Sequence, residues 1–139
     1  MNHLEKSKEL GLPAEQYVLV GGSILDIYGI RTSDDIDVVV SPEAFASLKE
    51  RGWEVDEGFR EKWGRERLVH DVFEVYTDLH YQKLDYYLPF VVLREISNRM
   101  EGVHVQPLGL LLLGKLDNAR PKDLADVALI EQYFAQQSV

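Results

Sequence analysis

Asp35 and Asp37 stand two residues apart at the head of an otherwise apolar run, Asp35-Ile-Asp-Val-Val-Val40. In a strand, residues i and i+2 project from the same face. The two carboxylates therefore lie side by side, while Ile36, Val38 and Val40 point the other way into a core. Carboxylates this close repel and raise each other's pKa. A cation between them removes the repulsion. Paired oxygen ligands on a rigid element suit Mg²⁺, which takes one or two carboxylates together with substrate phosphates.

The residues just upstream suit such a ligand. Tyr17-Val-Leu-Val20 is an apolar run of strand formers, ended by Gly21-Gly22. Glycines let backbone approach a bound group closely. Ser23 is a good N-cap for a short helix over 24–28, closed by Gly29. A helix start of this kind offers unpaired N–H groups to phosphate oxygens. Gly21, Gly22 and Ser23 are thus candidate phosphate-holding residues. An isolated Asp-x-Asp is common at solvated strand edges and an isolated Gly-Gly is usually a turn. The signal is the conjunction: strand, Gly-Gly-Ser, short helix, then Asp-x-Asp opening a second strand.

The elements that must position these groups read as follows. The first ten residues are helical, up to Leu12-Pro13. Ser41 caps a helix that Pro42 opens and Gly52 ends. Residues 53–64 are ambiguous, with Trp53-Glu-Val-Asp and Phe59 to Trp63 as possible short strands. Leu68 to Thr77, rich in Val, Phe and Tyr, is a clearer strand. Leu84 to Met100 is helical or mixed around Pro89. A short strand starts at Val103. Pro107 opens a leucine-rich helix to about Leu116, and Pro121 a last helix to about Phe134. The leucines almost encircle the first of these two helices, which predicts a buried helix. Val127, Ile130 and Phe134 share one face of the last, with Asp123 on that face at the first turn. Helices and strands interleave, so the fold class is α/β or α+β with a mixed sheet.

Composition narrows the function. A chain of 139 residues suits one domain. It contains no cysteine, which excludes disulfides, thiolate metal sites and a Cys nucleophile. The net charge of −9 lacks the basic footprint of a duplex DNA binder. An acidic protein can still handle phosphate compounds when metal ions bridge the charges. The charged N-terminus has no signal-like apolar stretch, and the longest apolar segment is too short for a membrane span. A cytoplasmic protein is expected. The histidines at 3, 70, 80 and 104 show no ligand spacing, and the tyrosines at 76, 81, 86 and 87 read as packing groups.

"GGS", eleven further residues and then "DIDVVV" together resemble the signature of the nucleotidyltransferase superfamily related to DNA polymerase beta. "KLDNARPKDLADVALIEQY" resembles the C-terminal motif of small bacterial nucleotidyltransferase-like proteins, including the abortive-infection type IV toxin group. Its pattern is Lys115, then Arg120-x-Lys122-Asp123, then Asp126. The resemblance implies a minimal nucleotidyltransferase fold, a small mixed sheet with helices mainly on one side. The core would cover about residues 14–106, and the C-terminal helices, about 107–139, would close it. It implies transfer of a nucleoside monophosphate from a nucleoside triphosphate to an acceptor hydroxyl, with two Mg²⁺ ions.

Such enzymes use a third carboxylate on a neighbouring strand. Asp71, Glu74 and Asp78 compete for the role. Glu74, in the middle of the apolar run, fits the slot, although the superfamily usually has Asp there. Asp35, Asp37 and Glu74 would then be both catalytic residues and metal ligands. Arg31 would contact the triphosphate or pair with Asp34. Lys115 would reach a substrate phosphate or a site carboxylate, or snorkel to solvent. Asp123 would serve the nucleotide site or cap its helix. The acceptor stays open among an RNA end, a protein and a small molecule. The alternative is a toxin–antitoxin component or a degenerate nucleotide-binding protein that works through a partner protein without turnover.

Overall fold

The computed structural model describes residues 1–137. The fold is mixed α/β. A seven-stranded sheet has the order β3-β4-β5-β2-β1-β9-β8, and a two-stranded sheet pairs β6 with β7. The large sheet is built from β1 (Tyr17–Val20), β2 (Ile36–Val40), β3 (Glu54–Val55), β4 (Leu68–His70), β5 (Phe73–Tyr76), β8 (Asn98–Met100) and β9 (Val103–Val105). β1 runs antiparallel to β2 and parallel to β9, and β2 runs parallel to β5. The small sheet is the hairpin β6 (Asp78–Tyr81) and β7 (Tyr86–Pro89).

The helices are α1 (His3–Ser7), α2 (Gly22–Ile27), α3 (Pro42–Glu50), α4 (Glu57–Trp63), α5 (Phe90–Ile96), α6 (Leu108–Asn118) and α7 (Pro121–Gln137). No helix among the described residues is long and apolar enough to cross a membrane.

The central strands are apolar on both faces because both faces are covered. Tyr17 and Leu19 of β1 join Ile36, Val38 and Val40 of β2, Phe73 and Val75 of β5 and Ile130 of α7 in the larger core. Val18, Val20 and Val39 face the opposite side. There they pack with Phe90 and Leu93 of α5 and with Tyr81 and Leu88 of the hairpin. Asp35, Asp37 and Glu74 follow the parity of this second, more thinly covered face. The carboxylates therefore stand where apolar cover gives way to solvent.

Several sequence expectations change. Phe59 to Trp63 is helical rather than extended. Asp56 accepts the N–H of Phe59 at 3.1 Å and Gly64 closes the turn at φ 68°, so the local signals were a cap and a stop. Leu68 to Thr77 is a hairpin, not one strand: Asp71 adopts φ 53° and turns β4 back onto β5. The segment after Leu84 resolves into β7, α5 and β8. Helix α6 buries only Leu108 and Leu111, while Leu113 is 60% and Leu116 45% exposed. It covers one flank of the fold instead of crossing its centre. Phe134 is 40% exposed, so α7 docks through Val127 and Ile130.

Leu19 is fully buried between Val38 and Val105 in the sheet. Leu19→Ala is expected to cost about 3 kcal/mol, read as a lower urea midpoint at unchanged m-value.

Candidate functional site

Parallel pairing of β2 with β5 sets Asp37 directly beside Glu74. Antiparallel pairing of β1 with β2 sets Asp37 opposite Val20, one residue before the glycine turn. Gly21 adopts φ 68°, and a Cβ built on it would sit 2.7 Å from Asp37 Oδ2. Only glycine fits there, both for its backbone conformation and for its close approach to the carboxylate. The Gly21 N–H donates to Oε1 of buried Gln106 at 3.0 Å, which fixes the turn against β9.

Asp35, Asp37 and Glu74 thus gather on one wall beside Gly21-Gly22, and all five residues line a single open cleft of about 1000 Å³. Asp37 Oδ1 is buried without a hydrogen-bond partner. Burial, then the neighbouring Glu74 and Asp35 carboxylates, push the Asp37 carboxyl up to about 8. Glu74 meets Arg67 Nη1 at 3.2 Å and the Tyr76 hydroxyl at 3.3 Å, both through Oε2. Arg67 is in turn anchored by two hydrogen bonds to Asp56 Oδ2, the cap of α4, and lies over the Phe59 ring. The other two contenders are occupied elsewhere: Asp71 pairs with Lys6, and Asp78 with Arg65. As they stand, no three acidic or histidine side chains among the described residues form a metal-ligand set. Glu74 is engaged instead by Arg67 and Tyr76.

The remaining expected residues fall into two groups. Gly22 lines the cleft, and a Cβ there would meet Ser33 Oγ at 3.1 Å. Ser23 is not available to a ligand. It is fully buried, its hydroxyl donates to the Asp35 carbonyl at 3.2 Å, and it meets His3 Nδ1 at 3.0 Å. Its role is to hold the loop before Asp35, and Gly21, not Ser23, is the N-cap of α2.

Arg31 does not pair with Asp34 but takes Asp126 of α7 in a bidentate contact at 2.7 and 2.8 Å. Lys115 does not snorkel; its side chain is 13% exposed, 2.8 Å from Asp126 and 3.6 Å from Asp123. Burial alone would favour the neutral acid at Asp126, yet the Arg31 and Lys115 hydrogen bonds hold it down to about 2. Asp123 accepts the Arg120 backbone N–H at 3.1 Å, the reciprocal half of a capping box, and also its side chain. The C-terminal helices are thereby bolted to the loop that carries Asp35.

Sequence reasoning missed His3, Arg67, Gln106 and the role of Asp126. Asp126 alone had a signal, one turn beyond Asp123 on the same helical face. His3 and Gln106 act across 20 to 85 residues, which no local pattern encodes, and Arg67 reaches Glu74 across the β4–β5 hairpin, whose turn was not anticipated. Four buried side-chain atoms among the described residues lack a hydrogen-bond partner: Asp37 Oδ1, His80 Nε2, Tyr81 OH and Asn118 Oδ1. All four residues line this cleft. Orphaned buried polar atoms cost about 1–3 kcal/mol each, and the four gather on this one surface. Compared with known proteins, the chain matches no family model, no curated protein and no solved structure.

The raised Asp37 carboxyl fixes a pH dependence. The folded state keeps a proton that the unfolded chain releases near 4, so stability is greatest below about pH 4 for this group and falls as pH rises toward about 8. Asp37→Asn is expected to flatten that fall and to raise Tm at pH 8, measured by calorimetry across pH. Gly21→Ala is expected to cost at least 1–2 kcal/mol from the positive φ alone, with further displacement of Asp37, read by urea denaturation.

Proposed function

We propose that the chain is a metal-dependent nucleotidyltransferase that moves a nucleoside monophosphate from a nucleoside triphosphate to an acceptor hydroxyl. One observation carries the reading: two carboxylates paired across β2 and β5, with a third at the loop end of β2, stand beside a glycine turn in a cleft large enough for a nucleotide. The resemblance of the Gly-Gly-Ser and Asp-Ile-Asp segments to the nucleotidyltransferase superfamily supports it independently of that geometry.

The donor set fits Mg²⁺. Its ligands would be Asp35, Asp37 and Glu74, all oxygen donors, and the partnerless Asp37 Oδ1 is a ready acceptor for a cation. When bound, Mg²⁺ supplies charge neutralisation for phosphoryl oxygens. The chain's own groups do the rest. Gly21 and Gly22 keep side chains away from the phosphates. Asp37, its carboxyl pushed up to about 8 by burial and by the neighbouring Glu74, keeps its proton at neutral pH in the free chain. Glu74 sits where it can accept the proton of an acceptor hydroxyl. Arg31, Lys115 and Arg120 also line the cleft, paired with Asp123 and Asp126, so three cations against two carboxylates leave a small positive excess for a triphosphate to meet. The acceptor is an RNA end, a protein or a small molecule, and the cytoplasm is the compartment in which it is met.

A second reading has one observation in its favour. The Arg67 and Tyr76 contacts occupy Glu74 and leave no ready three-carboxylate ligand set. On that reading the chain binds nucleotide without turnover, as a toxin–antitoxin component acting through a partner protein. Transfer of labelled phosphate from α-labelled nucleoside triphosphate to components of a cell extract separates the two. Mg²⁺-dependent labelling that Asp37→Asn reduces at least a thousandfold is expected; full labelling by the variant overturns the enzymatic reading.

A further inference from the structure

The cleft extends beyond the carboxylates to a corner between α6 and the β6–β7 hairpin. Leu111, Gly114, Lys115 and Asn118 face the cleft from α6, at the i, i+3, i+4 and i+7 spacing of one helical stripe. Across from them is Tyr81, the last residue of β6. Its ring is buried in the smaller core, and a Cβ on Gly114 would touch its Cε1 at 3.5 Å. The backbone N–H of Lys83, in the hairpin turn, donates to Asp117 Oδ2 at 3.0 Å and ties the hairpin to α6.

Two of the four orphaned atoms belong to this corner, the Tyr81 hydroxyl and Asn118 Oδ1. Tyr81 is 9% exposed, and its burial raises the phenol, so at neutral pH the group is an O–H donor. The Asn118 amide brings an acceptor and a donor in one plane. Leu111 and Gly114 add apolar surface beside them. A phosphate, which only accepts, would leave Asn118 Oδ1 unsatisfied, and a purely apolar group would leave both unsatisfied. A flat heterocycle with adjacent donor and acceptor atoms satisfies both and lies against the apolar surface.

We infer that Tyr81 and Asn118 form a subsite for the nucleobase edge of the bound nucleotide. The inference rests on the nucleotidyltransferase reading, and it deepens that reading by giving the base its own hydrogen-bonding partners on α6 and β6.

The test compares wild-type protein, Tyr81→Phe and Asn118→Leu by titration calorimetry with MgCl₂. The probes are ATP, GTP, CTP, UTP and inorganic tripolyphosphate. The expected result is that at least one nucleoside triphosphate binds tenfold or more tighter than tripolyphosphate. Each variant then loses about tenfold of that gain, the worth of one good hydrogen bond, unequally among the four bases, with tripolyphosphate binding unchanged. Tm of Tyr81→Phe is expected to be equal to or higher than that of the wild type, because the substitution removes an orphaned group. Variants that bind every nucleoside triphosphate as the wild type does overturn the inference. So does an equal loss across all four, which assigns the pair to the sugar, and so does a Tm several degrees lower, which makes the hydroxyl structural. Tripolyphosphate binding with no gain from any base overturns the base subsite alone. Binding of no probe at all overturns the nucleotide reading and the subsite with it.

Discussion

The pairing of β2 with β5 forces two acidic side chains together. Asp37 and Glu74 are register partners in a parallel ladder, so neither can turn away without breaking backbone hydrogen bonds that the core on both sheet faces holds in place. Repulsion between them, added to the burial of Asp37, pushes the Asp37 carboxyl up to about 8. On the same sheet face the next rung pairs Val39 with Tyr76, packed in the smaller core, so the acidic rung interrupts an otherwise apolar face. The strain at this one rung is the feature from which the functional reading grows.

Around that rung, cations are distributed to hold carboxylates apart from one another's fields. Arg67, itself anchored by Asp56 and packed on Phe59, partly neutralises Glu74. On the far wall Arg31 and Lys115 converge on Asp126, while Arg120 takes Asp123. This second network joins the loop before β2 to α6 and α7. The C-terminal helices are therefore tied through Arg31 to the loop that precedes Asp35. His3 secures the same loop from the opposite side, through Ser23 Oγ and the Ser33 carbonyl.

The parts of this arrangement that depend on short-range patterns were legible in the sequence. The two-residue period of a strand announces that Asp35 and Asp37 share a face, and the turn glycines and the Ser41-Pro42 start of α3 follow from local backbone preferences. What was not legible depends on distance along the chain. Arg31 meets Asp126 across 95 residues and Gln106 meets Gly21 across 85, and no periodicity encodes either. Local reading also misjudged Ser23, because a good capping residue type stands two residues inside the helix when Gly21 takes the cap at positive φ. The leucine-rich α6 misled in a different way: its composition suits a buried helix, yet it lies at a flank where Leu113 and Leu116 stay exposed.

Asp37 and Glu74 form a register pair in which burial and crowding raise the Asp37 carboxyl, and the proposed function requires a cation to bind there. The most direct measurement is an NMR titration of the Asp37 side-chain carboxyl carbon, with and without Mg²⁺. The expected midpoint is near 8 without divalent ions, falling by more than a unit when Mg²⁺ is added. A midpoint near 4 that Mg²⁺ does not move would contradict it.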